Sequence, residues 1–118
     1  RDGTIDYLAT DHAPHTLEEK EKGMSGMPHL DTYGPFTSWL MKEHNFTAQD
    51  IARVCSYNPG KFINEFQDER YGEVKEGMEG SNPILRSHLK TKCGWSPFEG
   101  LEFPGKKIMT IIKGKIYE

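Results

Sequence analysis

Hydrophobic positions along this 118-residue chain come in short bursts whose spacing changes from one burst to the next. Thr4-Ile5-Asp6-Tyr7-Leu8-Ala9-Thr10 is rich in strand-favouring residues and stops at a polar cluster, which predicts one buried strand. From Asp11 to about Pro28, charges, Pro14, Gly23 and Gly26 interrupt any sustained period, which predicts a long loop. Loops of that length inside compact domains are usually functional or disordered. Phe36, Trp39 and Leu40, with Tyr33, then fall at helical spacing after Asp31 or Thr32, either of which is a capping residue type. The expected helix runs from about Thr32 or Pro35 to His44. Thr47 and Asp50 resemble a capping box with Asp in the Glu/Gln place, and Ile51, Val54 and Cys55 continue as an apolar stripe, so a second helix is expected to about Tyr57. Asn58-Pro59 is expected to end it and to start a third, because proline is tolerated at the first helical position; Phe62, Ile63 and Phe66 would supply the buried face.

Past Tyr71 the pattern turns to strands. Gly72-Glu73-Val74-Lys75-Glu76-Gly77 reads as a short one between glycines, and Pro83-Ile84-Leu85-Arg86 as another. The best strand signal is Lys107-Ile108-Met109-Thr110-Ile111-Ile112, followed by a tight turn at Lys113-Gly114 and by Lys115-Ile116-Tyr117. One strand, three helices and a β-rich tail is an odd inventory for an autonomous domain and fits the end of a larger α/β protein. The opening at Arg1, with an apolar-rich segment almost immediately and nothing earlier to pack beside it, suggests a fragment.

Composition narrows the classes. Fifteen Lys and Arg stand against 18 Asp and Glu, a formal net charge of -3, and no basic stripe follows a phosphate backbone, so nucleic acid is excluded as an expected partner. Glu18-Glu19-Lys20-Glu21-Lys22 mixes signs and reads as a solvated loop or helix face. Cys55 and Cys93 lie far apart in no metal-ligand spacing, which indicates neither a disulfide framework nor a zinc finger and fits a reducing, cytoplasmic setting. No apolar run approaches the roughly 20 residues of a membrane helix, and the N-terminus has no signal-peptide core, so no membrane partner is expected. The length allows one small domain and not two typical ones.

The chemistry-bearing cluster is Asp11-His12-Ala13-Pro14-His15, a carboxylate and two imidazoles within five positions, directly after the expected strand. Barrel enzymes place catalytic groups at the C-terminal ends of parallel strands. A strand-end aspartate is equally a common cap or turn former, and loop histidines are often merely exposed. Spacing alone leaves both open.

Asp6-Tyr7-Leu8-Ala9-Thr10-Asp11-His12-Ala13-Pro14-His15, followed by Glu18-Glu19-Lys20, resembles the dihydroorotase signature at the end of the eighth barrel strand. Lys92-Cys93-Gly94-Trp95-Ser96-Pro97-Phe98-Glu99-Gly100 is similar to the family's C-terminal Trp-Ser-Pro-Phe-Glu-Gly element. Between them, Asp31-Thr32 and Asn58-Pro59-Gly60-Lys61 sit where the family has similar residues, so the likeness spans nearly the whole chain in order. It implies an α/β fold: over residues 1–70, the end of an amidohydrolase (β/α)8 TIM barrel, with its eighth strand, active-site loop and helices; over 71–118, the C-terminal strands of a composite small β-sandwich domain. It also implies a cyclic amide hydrolase, interconverting N-carbamoyl-L-aspartate and dihydroorotate in de novo pyrimidine biosynthesis. Zinc, one or two ions, would be the cofactor. The implied partners are the small-molecule substrate, the remainder of the dihydroorotase chain, and a homo-oligomer or aspartate transcarbamoylase.

Carried over residue by residue, Asp11 would touch the metal centre and shuttle a proton. A metal makes hydroxide available near neutral pH and polarises the carbonyl it attacks, and the neighbouring dication favours the ionised carboxylate. His15 matches the histidine that binds the substrate's carboxylate, and Ser25 and Gly26 fall where relatives offer backbone groups to the pyrimidine ring. His12 reads as structural support; His29, His44 and His88 have no matching role. Trp95, Pro97 and Phe98 read as packing of the tail against the barrel. The sequence also departs from the family. The His-x-His pair, the bridging carboxylated lysine and two further histidines of the family would lie upstream, and a metal site needs three or four ligands, of which Asp11 is one. Where the family has Gly-x-x-Ala-Asp-Leu near Gly77, this chain has Met78-Glu79-Gly80-Ser81-Asn82-Pro83, which alters the expected local strand pairing.

Three competing readings follow. An allantoinase, hydantoinase or dihydropyrimidinase would keep the Asp-His pair but generally lack the Ala-Pro-His continuation and the Trp95 to Gly100 block. A catalytically dead homologue kept as a scaffold for aspartate transcarbamoylase is the second. An independent small binding domain is the third; it predicts a compact monomer with a cooperative melt, against the poor stability or self-association expected of unpaired edges and uncovered apolar faces.

Overall fold

Two helix starts among the described residues are fixed by side chains that satisfy the first free backbone N–H groups. The computed structural model describes residues 2–64, 76–107, 110–112 and 115–117. In it Thr16 Oγ1 accepts the Glu19 N–H at 3.3 Å while Glu19 Oε2 accepts the Thr16 N–H at 2.8 Å, a reciprocal capping box that opens α1 (Leu17–Glu21). This helix lies inside the stretch whose irregular pattern predicts loop. Five residues are too few to display an apolar period, and α1 buries none of its residues. The mixed-sign run is therefore a solvated helix face, with Lys22 pairing Glu18 at 2.7 Å.

A 3-10 turn at Leu30–Thr32 leads into α2 (Tyr33–His44), which ends on Asn45 in the left-handed region at φ 54. Neither expected residue caps α2: the Thr32 hydroxyl donates to the His29 carbonyl, and the Asp31 carboxylate turns to the backbone N–H groups of Lys90 and Thr91. The Thr47–Asp50 capping box forms as expected, with N–H to side-chain oxygen distances of 3.0 and 3.1 Å, and starts α3 (Ala48–Ala52).

The expected third helix starts at Asn58 with Pro59 in its first turn, but no break separates it from the preceding helical turns. The chain passes from α3 through a widened π-type turn at Arg53–Tyr57 into α4 (Asn58–Phe62), with Asn58 itself helical at φ -67 and ψ -43. A widened turn just before Pro59 accommodates a ring that lacks an N–H and crowds the preceding turn. Phe62 and Ile63, expected as a buried face, are 73% and 62% exposed, and Phe66 lies outside the described residues. The neighbour across from Phe62 is Tyr7, at 5.6 Å between ring centroids.

Residues Thr4–Thr10 are extended but form no strand, and Ile5 is 74% exposed. A strand needs a neighbour for its backbone groups, and none lies alongside among the described residues. Instead the Leu8 N–H donates to the Val54 carbonyl at 2.9 Å, the Leu8 carbonyl accepts the Tyr33 hydroxyl at 3.0 Å, and the Asp6 carbonyl accepts the Asn58 side-chain amide. The segment is thus tied to α2, α4 and the π-type turn.

The tail forms two antiparallel pairs. β1 (Glu76–Pro83) pairs with β2 (Glu102–Lys107) from Glu76 opposite Lys107 to Pro83 opposite Glu102, with a register irregularity between Gly77 and Ser81. That irregularity falls where the sequence departs from the family pattern. Pro83–Arg86 is not a separate strand: Pro83 ends β1 and Arg86–His88 is a 3-10 turn. Of the expected strand Lys107–Ile112, Lys107 belongs to β2, while β3 (Thr110–Ile112) pairs with β4 (Lys115–Tyr117), Ile112 opposite Lys115. Residues 72–75, 108–109 and 113–114 lie outside the described set.

Val54, Ile84 and Phe103 are the buried apolar side chains among the described residues, and Phe98 meets Phe103 edge-on at 5.9 Å. No described helix is long and apolar enough to cross a membrane. The architecture is a mixed helix and strand assembly with a small core.

Candidate active site

Asp11 sits where the extended segment turns, with φ at 44. A non-glycine residue there pays a steric cost of about 1–2 kcal/mol, which aspartate tolerates better than most. Among the described residues its exposed carboxylate takes no hydrogen bond, which leaves it available to a ligand. The next residues are held tightly. His12 Nδ1 accepts the backbone N–H groups of His29 and Leu30 at 3.0 and 3.1 Å. Both bonds need an unprotonated Nδ1, so the neutral ring carries its proton on Nε2. His12 thus performs the structural role expected of it. A parallel bridge joins His12 to Met27, and the Ala13 N–H donates to the Met27 carbonyl at 3.0 Å.

This pairing lays the Gly23–Met27 loop along the Asp11–His15 segment. Gly26, at φ 100, backs directly onto Ala13: a Cβ added to it would stand 2.4 Å from the Ala13 Cβ. Only glycine permits that approach. Lys20, in the last turn of α1, donates from Nζ to the Met24 carbonyl at 2.6 Å and to the Gly26 carbonyl at 2.9 Å. From the same helix, Glu19 places Oε2 3.5 Å from His15 Nδ1. The Thr16 N–H bond, chiefly, holds the Glu19 carboxyl below the usual range, with smaller contributions from the Thr16 hydroxyl and His15. Gly26 is therefore brought against the Asp11–His15 segment, and Ser25 rides on the loop between the two carbonyls that Lys20 binds.

The later signature element folds over the same loop. Trp95 Nε1 donates to the His15 carbonyl at 2.7 Å, the Ser96 hydroxyl accepts the Phe98 N–H at 3.2 Å, and Phe98 lies 5.6 Å from the His29 ring. Asp31 clamps the approach to this element by accepting the Thr91 N–H at 2.9 Å. The tryptophan thus supports the backbone of a proposed substrate ligand as well as packing the tail. Next to the site is a largely apolar cavity of about 240 Å³ between Leu8, Thr10, Tyr33 and Phe98. Burial pushes up the hydroxyl of Tyr33, which lines this cavity, so it stays protonated at neutral pH.

Among the described residues no group of three or more His, Cys, Asp or Glu side chains converges to hold a metal ion. Asp11 offers one carboxylate of the three or four ligands a metal site needs. The contributions of Lys20, Glu19 and Asp31 were missed in the sequence. For Glu19 a signal existed, since Thr16-x-x-Glu19 is a capping-box pattern; Lys20 and Asp31 bind backbone carbonyls and amides, which no spacing announces.

No protein-family model matches the chain. Among curated proteins, the dihydroorotase of Pyrococcus furiosus is 36% identical over 118 residues, covering 95% of this chain and 28% of the relative. That of Pyrococcus abyssi is 35% identical over the same length, covering 95% and 29%. The multifunctional protein pyr1-3 of Dictyostelium discoideum is 38% identical over 115 residues, covering 95% of this chain and 5% of its own. The chain thus spans less than a third of the length of the dihydroorotases it matches. With the two signature elements brought together by the Trp95–His15 bond and this identity running through nearly all of its length, the chain is similar to a C-terminal portion of dihydroorotases.

Proposed function

We propose that this chain is the C-terminal part of a dihydroorotase and contributes Asp11, His15, Ser25 and Gly26 to the reversible cyclisation of N-carbamoyl-L-aspartate to dihydroorotate in pyrimidine biosynthesis. The observation that carries the proposal is Asp11: an exposed carboxylate without a hydrogen-bond partner among the described residues, held at a left-handed turn beside a rigid hydrogen-bonded loop. Strained non-glycine conformations of this kind cluster at functional sites.

In the hydrolytic direction Asp11 accepts the proton of the attacking oxygen and delivers it to the departing ring nitrogen; in cyclisation it moves the proton the other way. His15 offers its imidazole to the substrate carboxylate, with Glu19 Oε2 3.5 Å from Nδ1 to orient the ring. Ser25 and Gly26 present backbone groups to the ring, which the absence of a side chain at Gly26 permits. The enzyme of this reading is metal-dependent, with zinc as the ion and Asp11 as one ligand among several contributed from outside this segment.

In the same reading, residues 1–70 close an amidohydrolase (β/α)8 barrel, with the extended Thr4–Thr10 segment as its eighth strand, and residues 71–118 belong to the accompanying β domain. The remaining partners are the rest of the dihydroorotase chain, a second copy, or aspartate transcarbamoylase. A match inside a much longer multifunctional relative supports a segment that works within a larger polypeptide. Two half-buried free cysteines fit a cytoplasmic setting.

The test uses the full-length polypeptide that carries this segment. Asp11→Ala should lower kcat for dihydroorotate by about 10²–10⁴, the range for a lost acid-base group. His15→Ala should mainly raise KM. Wild-type turnover in the Asp11 variant would overturn the assignment, and preferential turnover of hydantoin or allantoin would move it to another cyclic amide.

A further inference from the structure

Lys20 stands apart within the mixed-sign run. Lys22 pairs with Glu18, and Glu19 caps Thr16, whereas the Lys20 ammonium takes no carboxylate among the described residues. It binds instead two neutral carbonyls, Met24 at 2.6 Å and Gly26 at 2.9 Å, on either side of Ser25. These are not the last carbonyls of its own helix, which ends at Glu21, so this is not helix capping. Holding a long side chain in one conformation sacrifices rotamer entropy, and a solvated surface lysine has no reason to do so.

The loop has need of such a restraint. Gly23 and Gly26 both adopt positive φ, and Met24 and Met27 are 47% and 45% exposed, so little side-chain packing fixes its tip. Its position nevertheless tolerates little error, because Gly26 approaches Ala13 more closely than any Cβ would allow. The separation between the Ser25–Gly26 backbone and the Asp11–His15 segment therefore depends on what holds the loop down. Lys20 does this from the helix whose Glu19 flanks His15, so five residues of α1 hold both substrate-facing groups.

We propose that Lys20 is a positioning residue: by tying the Met24 and Gly26 carbonyls together it sets the Ser25–Gly26 backbone against the ring of the substrate, and it controls affinity without touching the substrate. This rests on the dihydroorotase reading given above. The restraint acts on ground-state binding and not on the proton at Asp11, so it separates KM from kcat.

The experiment compares Lys20→Met, Lys20→Gln and Lys20→Arg in the full-length protein, with dihydroorotate as substrate. Lys20→Met should raise KM about tenfold with kcat within about twofold, and Lys20→Arg, which can donate to two carbonyls, should recover KM to within about threefold. If Lys20→Met does not yield soluble protein, Lys20→Gln carries the test, since its shorter uncharged amide does not reach both carbonyls. A wild-type KM in Lys20→Met, or in Lys20→Gln where that is the variant measured, overturns the proposal. So does a KM increase that wild type reproduces when salt is raised, because that assigns the effect to long-range charge. Hydrogen exchange at the Met24 and Ala13 amides, which donate to the Glu19 and Met27 carbonyls at the two ends of the loop, separates this proposal from the underlying reading: it should speed up about tenfold in Lys20→Met whether or not the protein turns over dihydroorotate. Unchanged exchange overturns the restraint; absent turnover with faster exchange overturns the dihydroorotase reading alone.

Discussion

The Asp11–His15 segment and the elements that flank it are held largely by polar side chains meeting backbone groups: His12 with two amides, Lys20 with two carbonyls, Asp31 with the Lys90 and Thr91 amides, Trp95 with the His15 carbonyl. At Ile5, Tyr7, Phe62 and Ile63 the balance is reversed. Large apolar side chains stand in water there, Phe62 at 73% exposure, and the aromatic contact is a single tilted pair. The difference follows from the two forces. Hydrogen bonds are short and directional, so a handful can fix a loop without a core beneath it. Apolar burial is non-directional and grows with the area removed from water, so a helical face gains little until something large covers it.

The largest effect expected from this contrast concerns the segment taken alone. With Ile5, Phe62 and Ile63 exposed and Val54, Ile84 and Phe103 forming the buried core of the described residues, the isolated 118 residues should self-associate in size-exclusion chromatography and melt without a sharp transition. A reversible, cooperative melt of a monomer would break the comparison, because the helical face would then need no cover.

That contrast also explains what could be read from the sequence. The helices were legible because capping and period are local: the Thr47–Asp50 box forms as expected, and α2 begins at Tyr33, beside the expected Thr32. Strand propensity in Thr4–Thr10 says nothing about whether a neighbour is present, and the segment is extended but unpaired. The apolar stripe of Phe62 and Ile63 marks a face that resists water, not one already covered. At the site, Asp11 and His15 stood out by their motif, and the crossing of Gly26 over Ala13 had its trace in the glycine. The bonds that hold this arrangement were hidden, because Asp31 binds amides some 60 positions away and Lys20 binds carbonyls, partners that carry no side-chain identity.

The second expected effect sharpens the polar side of the comparison. Asp31→Ala in the full-length protein leaves the Lys90 and Thr91 amides without their carboxylate and should cost about 2 kcal/mol in urea unfolding, the middle of the range for bonds to a charged group. Arg86→Ala removes only an exposed ion pair to Glu99 and should cost about 0–1 kcal/mol. Equal losses in the two variants would mean that the Asp31 clamp is no stronger than a surface salt bridge.

The smallest effect lies at α1 and is a matter of pH. The Glu19 carboxyl titrates below the ordinary glutamate range, first because the Thr16 N–H bonds to its ionised form. A group whose folded pKa is depressed stabilises the fold above its unfolded pKa and loses that contribution as pH falls through the folded value. Acidification from about pH 5 to about pH 3, through and below the ordinary glutamate value, should therefore open the capping box and loosen α1, and with it the mount for His15 and Lys20. Glu19 is fully exposed, so global stability should hardly change; the signal belongs in the protection factors of the Thr16, Glu19 and Met24 amides, corrected for intrinsic exchange. Glu19→Gln should remove this acid dependence, because a neutral amide has no proton to gain in that window. If the Glu19→Gln protein still loosened on acidification, the titrating group would lie elsewhere, and α1 would not be the element through which pH reaches the loop.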